Sequence, residues 1–241
     1  MSTSSVLGKI ARQCKYGINK ILKNYGYQLV RDLPWIYLHE YSTYEEYAEV
    51  QKFHNRRKLQ NVWADDQTLS LVADLVRKSS ARAQNYSGIC HGARNGFEVD
   101  KLRSLLDSDK IVGTDISETA EKFSNLCVWD FHDENPDWLG RFDFVYSNSL
   151  DQSWKPFEAL SCWMRQIKED GIIVIEHTRA HGVEGASSMD PFGVLPEFFP
   201  YVICEHFGRQ ISLEIKKSLK SNFGIDVWLF VIRKCGSDFP C

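Results

Sequence analysis

The chain lacks several features that would place it in a membrane or an oxidising compartment. No stretch approaches the roughly 20 consecutive apolar residues of a membrane-spanning helix. The N-terminus, MSTSSVLGKIARQC, has no continuous apolar core of the signal-peptide kind. Seven cysteines (Cys14, Cys90, Cys127, Cys162, Cys204, Cys235 and Cys241) are scattered singly, and none forms a C-x-x-C pair. That argues against a zinc site or a disulfide framework and for a reducing compartment, so the expected localisation is cytoplasmic. Internal repeats and low-complexity segments are missing too. Residues 1–31 contain no acid but six basic residues, Lys9, Arg12, Lys15, Lys20, Lys23 and Arg31. The rest of the chain then holds 23 basic against 32 acidic residues. An acidic body argues against a nucleic-acid partner, because phosphate binding needs a basic surface.

What is present is ordinary globular composition: 241 residues, 43% hydrophobic and 25% charged, enough apolar residue for a sizeable core. Over residues 5–26, Leu7, Ile10, Cys14, Ile18, Ile21, Leu22 and Tyr25 recur at helical spacing, with basic residues opposite. Such a helix has two ordinary uses. It packs on its own domain or in a homodimer, or it lies peripherally on an anionic membrane surface. Pro34 blocks its continuation. Residues 42–59 read as a polar helix opening at Ser42 with Glu45 three residues on, and residues 65–78 as another helix.

From residue 86 onward the pattern alternates. YSGICH, KIVGTDIS, NLCVWDF, RFDFVYSNS and GIIVIEHT read as strands, GFEVDKLRSLL and KPFEALSCWMRQI as helices, with Asp170-Gly171 as the turn ending the second helix. ISLEIKKSL and IDVWLFVIRK, joined by SNFG, read as a closing antiparallel pair. Alternating βα units predict an α/β, doubly wound, mostly parallel sheet with its ligand at the carboxyl ends of the strands. The domain expectation is a helical extension over 1–80 and the sheet domain over 81–241.

The turn His91-Gly92-Ala93-Arg94-Asn95-Gly96 sits between a strand and a helix, where glycines let a ligand approach the backbone. A dinucleotide needs G-x-G-x-x-G, but Gly88, Gly92 and Gly96 are spaced by four. The other class is S-adenosylmethionine, which has no phosphate to cradle and needs an acid for its ribose hydroxyls.

Here the chain resembles the class I S-adenosylmethionine-dependent methyltransferases, over about residues 86–235. Gly92 to Gly96 looks like their first motif, with Arg94 in place of the middle glycine and Cys90 where an acid usually stands. Asp115, 19 residues after Gly96, matches the acid ending the next strand. Asp130-Phe131 resembles the adenine-side pair, FDFVYSNSLDQSW the strand near the transferred methyl, and Asp170-Gly171-Ile172 the fifth motif. The resemblance implies a Rossmann-like seven-stranded sheet with an antiparallel closing strand. It implies cofactor contacts at Cys90, Gly92, Arg94, Gly96, Asp115, Ile116, Asp130, Phe131 and Ser147, and no metal. It implies S_N2 methyl transfer to a small-molecule or glycan hydroxyl or amine, with Asp151 and His177 as catalytic candidates and His132 a further base. More loosely, NRRKLQNVWADDQT and SNSLDQSWKPFEAL resemble bacterial methyltransferases associated with surface-polysaccharide and glycan synthesis. The irregular segment TRAHGVEGASSMDPFGVLPEFFP and residues 54–63 are expected to build the acceptor pocket, because long loops of this kind are usually functional. Two other readings stand beside this one. One is a methyltransferase on a protein or lipid-linked acceptor. The other is a catalytically silent cofactor-binding or scaffold protein, motivated by Cys90 and Arg94.

Overall fold

The computed structural model describes residues 34–79, 84–217 and 224–235, with isolated positions 18, 22 and 24. The predicted helix over 5–26 lies outside the described residues. The chain divides into two compact units, Met1–Pro34 and Trp35–Cys241. Among the described residues no helix is long and apolar enough to cross a membrane.

The second unit is built on a seven-stranded sheet. Its strands are β2 (Gly88–His91), β3 (Ile111–Asp115), β4 (Leu126–Val128), β5 (Phe142–Ser147), β6 (Ile167–Thr178), β8 (Ile211–Lys217) and β9 (Val227–Lys234). Their order is β4-β3-β2-β5-β6-β9-β8. Strands β4, β3, β2, β5 and β6 pair in parallel, and β9 runs antiparallel between β6 and β8. The Rossmann-like, mostly parallel sheet expected from the sequence is therefore present, with β9 as its reversed strand.

Helices cover both faces, which is why the inner strands β2 and β5 are buried along their whole length, whereas the edge strand β8 is largely exposed. On one face Ile89, Val145, Ile173, Ile175, Phe230 and Ile232 pack with α4 (Pro156–Gln166) and α5 (Phe199–Phe207) through Leu160, Trp163, Phe199 and Ile203. On the other, Phe144, Tyr146, Ile172, Val174, Leu229 and Val231 pack with α2 (Asp66–Ser79) and α3 (Phe97–Leu106) through Leu69, Val72, Val99 and Leu102. Each such side chain, fully buried, contributes about 1.5–3 kcal/mol.

Helix α1 (Tyr44–Arg57) starts one residue later than the sequence signal. Its N-cap is Thr43, whose Oγ1 accepts from Glu46 N at 3.2 Å while Ser42 N donates to Glu46 Oε2 at 2.8 Å. This resembles a capping box, with the Glu46 side chain accepting from the residue before the cap instead of from the cap itself. Asp65 caps α2, accepting from Thr68 N at 2.9 Å and Thr68 Oγ1 at 3.0 Å.

Two local expectations are corrected. Asp170-Gly171 does not end α4. The helix stops at Gln166 and β6 begins at once, with pairing that jumps from Phe142–Ile167 to Phe144–Ile172. The segment is a bulge, and a Cβ on Gly171 would lie 3.0 Å from Phe142 O. The connection after β6 is also more ordered than a plain loop. It carries a helical turn, Arg179–His181, and a short strand β7 (Phe192–Val194) that pairs antiparallel with β1 (Ile36–Leu38).

Candidate functional site

The site lies at the carboxyl ends of β2, β3 and β5. The turn after β2 needs left-handed backbone at three places: Gly92 (φ 73°), Arg94 (φ 37°) and Gly96 (φ 76°). Gly92 is fixed by crowding as well as conformation, because a Cβ there would sit 2.6 Å from Ser149 Cβ. Gly96 faces the other way, toward Asn125, whose Nδ2 donates to Gly96 O at 3.2 Å. The turn is tied to β3 by Ala93 N donating to Thr114 O at 2.9 Å and Arg94 N donating to Asp115 Oδ2 at 3.1 Å.

Asp115 is buried at the end of β3. Its carboxylate accepts from Asn55 Nδ2 at 2.6 Å and Ser117 N at 2.8 Å, besides Arg94 N. Burial pushes its pKa up against the pull of these donors. Asp130 accepts from Tyr44 Oη at 2.9 Å and from His132, whose Nε2 reaches Ser153 Oγ at 2.7 Å. Burial opposes ionisation of Asp130, but the bonds from His132 prevail and hold the carboxyl below its usual range.

Two spaces adjoin these residues. A cleft of about 20 Å³ is bounded by Gly92, Asp115, Ile116, Asp130 and Phe131, and closed by Tyr47, Gln51 and Asn55 of α1. Next to it opens a cavity of about 600 Å³. Its walls come from the turn and α3 (Arg94, Glu98), from the residues after β5 (Asn148, Asp151), from the end of α1 onward (Lys58, Trp63) and from the segment after β6 (His181, Asp190). The structure thus joins residues 54–63 and the irregular segment around one cavity.

The electrostatics of this cavity are unusual. Burial raises the Asp151 carboxyl to about 7 against the pull of Lys58 and Arg94. Burial and then the Asp151 charge raise Asp190 to about 6. Burial raises Glu98 and pushes His181 down to about 4. His181 Nε2 stands 3.8 Å from Asp151 Oδ2. Among the described residues, four buried side-chain polar atoms have no hydrogen-bond partner: Asn55 Oδ1, Arg94 Nε, Glu98 Oε2 and Asp151 Oδ1. All four residues border these spaces. Buried polar atoms are nearly always paired, so the orphans gathered here, above all those of Arg94, Glu98 and Asp151 around the larger cavity, point to a ligand that supplies partners.

Of the predicted site residues, Gly92, Arg94, Asp115, Ile116, Asp130, Phe131 and Asp151 converge on the two spaces. The others lie elsewhere. Cys90 is buried in the core on the α2–α3 face. Gly96 packs on Asn125. Ser147 lies behind the turn, its Oγ donating to His91 O at 2.9 Å. His177 is buried, donates from Nε2 to Val194 O at 2.8 Å and stacks on Phe199. Its pKa falls to about 3, from burial and then from His181. Sequence reasoning missed Tyr44, Tyr47, Gln51 and Asn55, although their spacing of three and four places them on one face of α1. It also missed Glu98, His181 and Asp190 as individual residues.

No family model matches the chain, and no curated protein matches it. Solved structures share its fold. A 1,6-didemethyltoxoflavin-N1-methyltransferase of Burkholderia thailandensis, solved with 1,6-didemethyltoxoflavin and S-adenosylhomocysteine, is 12% identical at a TM-score of 0.61, over 86% of this chain and 94% of that one. The plantazolicin methyltransferase BpumL, in complex with a triazolic desmethylPZN analogue and S-adenosylhomocysteine, is 11% identical at a TM-score of 0.60, over 79% and 96%. The [4+2]-cyclase SpnF is 12% identical at a TM-score of 0.57, over 78% and 95%. At such identities the likeness shows the fold, which is the Rossmann-like sheet described above.

Proposed function

We propose that this chain is an S-adenosylmethionine-dependent methyltransferase acting on a small molecule. The observation that carries the reading is the set of orphaned buried atoms placed around the carboxyl ends of β2, β3 and β5. They suit a zwitterion followed by a ribose. Arg94 and Lys58 suit a carboxylate, Glu98 and Asn148 an ammonium, Asp115 two ribose hydroxyls, and Ile116, Asp130 and Phe131 the adenine edge and face. A pyrophosphate suits the same place badly. The glycines lack its spacing, and Glu98 and Asp100 in the first turn of α3 would repel it. Solved neighbours holding S-adenosylhomocysteine support the cofactor, and the 1,6-didemethyltoxoflavin and triazolic desmethylPZN analogue bound to them support a small acceptor. The glycan acceptor implied by the looser resemblance draws no such support.

When bound, the cofactor supplies an electrophilic methyl on sulfur. The chain's contribution is alignment and exclusion of water. The turn and α3 hold the amino-acid end, and Asn148 to Asp151 face the cavity where the acceptor enters. Asp151 is placed to take the acceptor's proton, with a carboxyl that titrates near neutrality, the range in which a general base works best. His177 is not on this path.

A second reading, a catalytically silent scaffold, rests on the narrow cleft beside Asp115, which α1 nearly fills. Turnover of labelled S-adenosylmethionine separates an enzyme from a silent cofactor-binding or scaffold protein, and calorimetric titration with S-adenosylhomocysteine and with NAD tests the cofactor. Micromolar binding of the first and none of the second is expected. Binding of NAD alone, or of neither, overturns the proposal.

A further inference from the structure

The mechanism uses Asp151 as a base but leaves a second, half-buried carboxyl, Asp190, on the same cavity wall without a role. Two acids facing one cavity are not a site by themselves. Here one of them, Asp151, lines the cavity, is 6% exposed and keeps Oδ1 buried without a hydrogen-bond partner, an acceptor left over for a ligand that settles against this wall. The groups facing it are known from every side: Lys58 after α1, Arg94 on the turn, Glu98 on α3, and His181 and Asp190 on the segment after β6. The two cations suit the carboxylate end of a zwitterion. His181 is held neutral by burial. What is left over is negative charge.

We infer that Asp151, with Asp190 lining the same cavity, reads the charge on the cofactor's sulfur. The site then favours the sulfonium substrate over the neutral thioether product, and binding of the sulfonium drives a proton off Asp151. This rests on the cofactor assignment proposed above and adds a specificity to it. Methyl transfer removes the positive charge: a lone pair of the acceptor forms the new bond to the methyl carbon, and the carbon–sulfur bond breaks with both its electrons staying on sulfur. The same step therefore removes the attraction that favoured binding, and the product is released from a site that prefers its precursor.

The size of the effect follows from proton linkage. With its carboxyl near 7, Asp151 is ionised in roughly one molecule in ten at pH 6 and nine in ten at pH 8. Affinity for the sulfonium should rise about tenfold over that interval relative to affinity for the thioether. The sign is fixed by the charge. A cation stabilises the ionised carboxylate, so binding tightens as pH rises through the free-protein pKa, and protons are released below it.

The test is calorimetry of the full chain with S-adenosylmethionine and S-adenosylhomocysteine from pH 6 to 8, in two buffers of different ionisation enthalpy. The ratio of the two affinities should change about tenfold, with nearly one extra proton released by the sulfonium at pH 6 to 6.5. Both ligands also titrate at their own amino groups. The Asp151→Asn protein keeps that contribution and supplies the baseline, against which the wild-type excess should vanish. Carboxyl ¹³C NMR of aspartate-labelled wild-type protein is a second measurement that needs no variant. One resonance titrating near 7 should persist in the thioether complex and fall by about two pH units or more in the sulfonium complex. If both ligands bind with the same pH dependence after baseline correction, or the resonance does not separate them, this inference fails while the cofactor assignment stands. If neither ligand binds, the cofactor assignment itself fails and carries this inference with it.

Discussion

Replacing Asn55 with alanine should strengthen cofactor binding. The Asn55 amide donates to Asp115 Oδ1 at 2.6 Å, and Asp115 is the acid expected to hold the ribose. The cleft beside it, about 20 Å³, has room for little more than one water. An adenosine can enter only if Tyr47, Gln51 and Asn55 give way and the bond to Asp115 is broken. Hydrogen bonds to a charged group contribute about 1.5–3 kcal/mol. That bond competes directly with the ribose, so Asn55→Ala should tighten S-adenosylhomocysteine about ten- to a hundredfold. The cost to folding should be small. Asp115 keeps Arg94 N and Ser117 N as donors, and the variant also removes the unpartnered Asn55 Oδ1. Calorimetry on both proteins, with thermal melts of the ligand-free forms, reads both quantities. Unchanged or weaker binding in the variant would refute the reasoning, because Asn55 would then be a ligand of the bound state and not its competitor.

Asp115→Asn should weaken S-adenosylhomocysteine at least tenfold, since a charge-assisted pair of acceptors is lost; an unchanged affinity would make Asp115 a cap for the turn at Ser117. Arg94→Gly should leave the melting temperature unchanged or raise it, because a left-handed φ of 37° strains any residue but glycine, while lowering cofactor affinity about tenfold. Gly92→Ala should destabilise by about 2 kcal/mol or more, from a left-handed φ and a Cβ 2.6 Å from that of Ser149, and lower the melting temperature by roughly 4–8 °C. Glu176→Gln should stabilise at neutral pH. Burial raises this carboxyl, which accepts from Tyr146 Oη at 2.6 Å, from 4.5 to about 7. Its stability contribution is therefore full below 4.5 and lost as pH rises toward 7, of order 3 kcal/mol. Melts of the two proteins should coincide below pH 4.5 and diverge above it; parallel curves would contradict the assignment.

The sheet was legible because its inner strands are apolar on both faces, its edge strand β8 alternates, and glycine and polar turns punctuate them. Strands β1 and β7 were not, since three residues flanked by proline and glycine carry no period. Asp170-Gly171 misled because the same dipeptide that ends a helix also suits a bulge. The candidate site was legible where a turn demands glycine, at Gly92, and where a strand ends in an acid, at Asp115. It was hidden where polar residues turn inward. Helix α1 reads as a solvated helix, yet Tyr47 and Gln51 are buried because their stripe covers the cleft. His177 illustrates the reverse error. It lies near the carboxyl end of β6, but the period of two puts it on the face of Ile173 and Ile175, against Phe199.

The most direct measurement is a crystal structure of the full chain with S-adenosylhomocysteine. The account predicts the ribose hydroxyls on Asp115, the amino-acid end between Arg94 and Glu98, and the sulfur facing the cavity beside Asp151, with Asn55 withdrawn. A ligand bound elsewhere, or a cleft still filled by Asn55 in crystals saturated with the ligand, would contradict it.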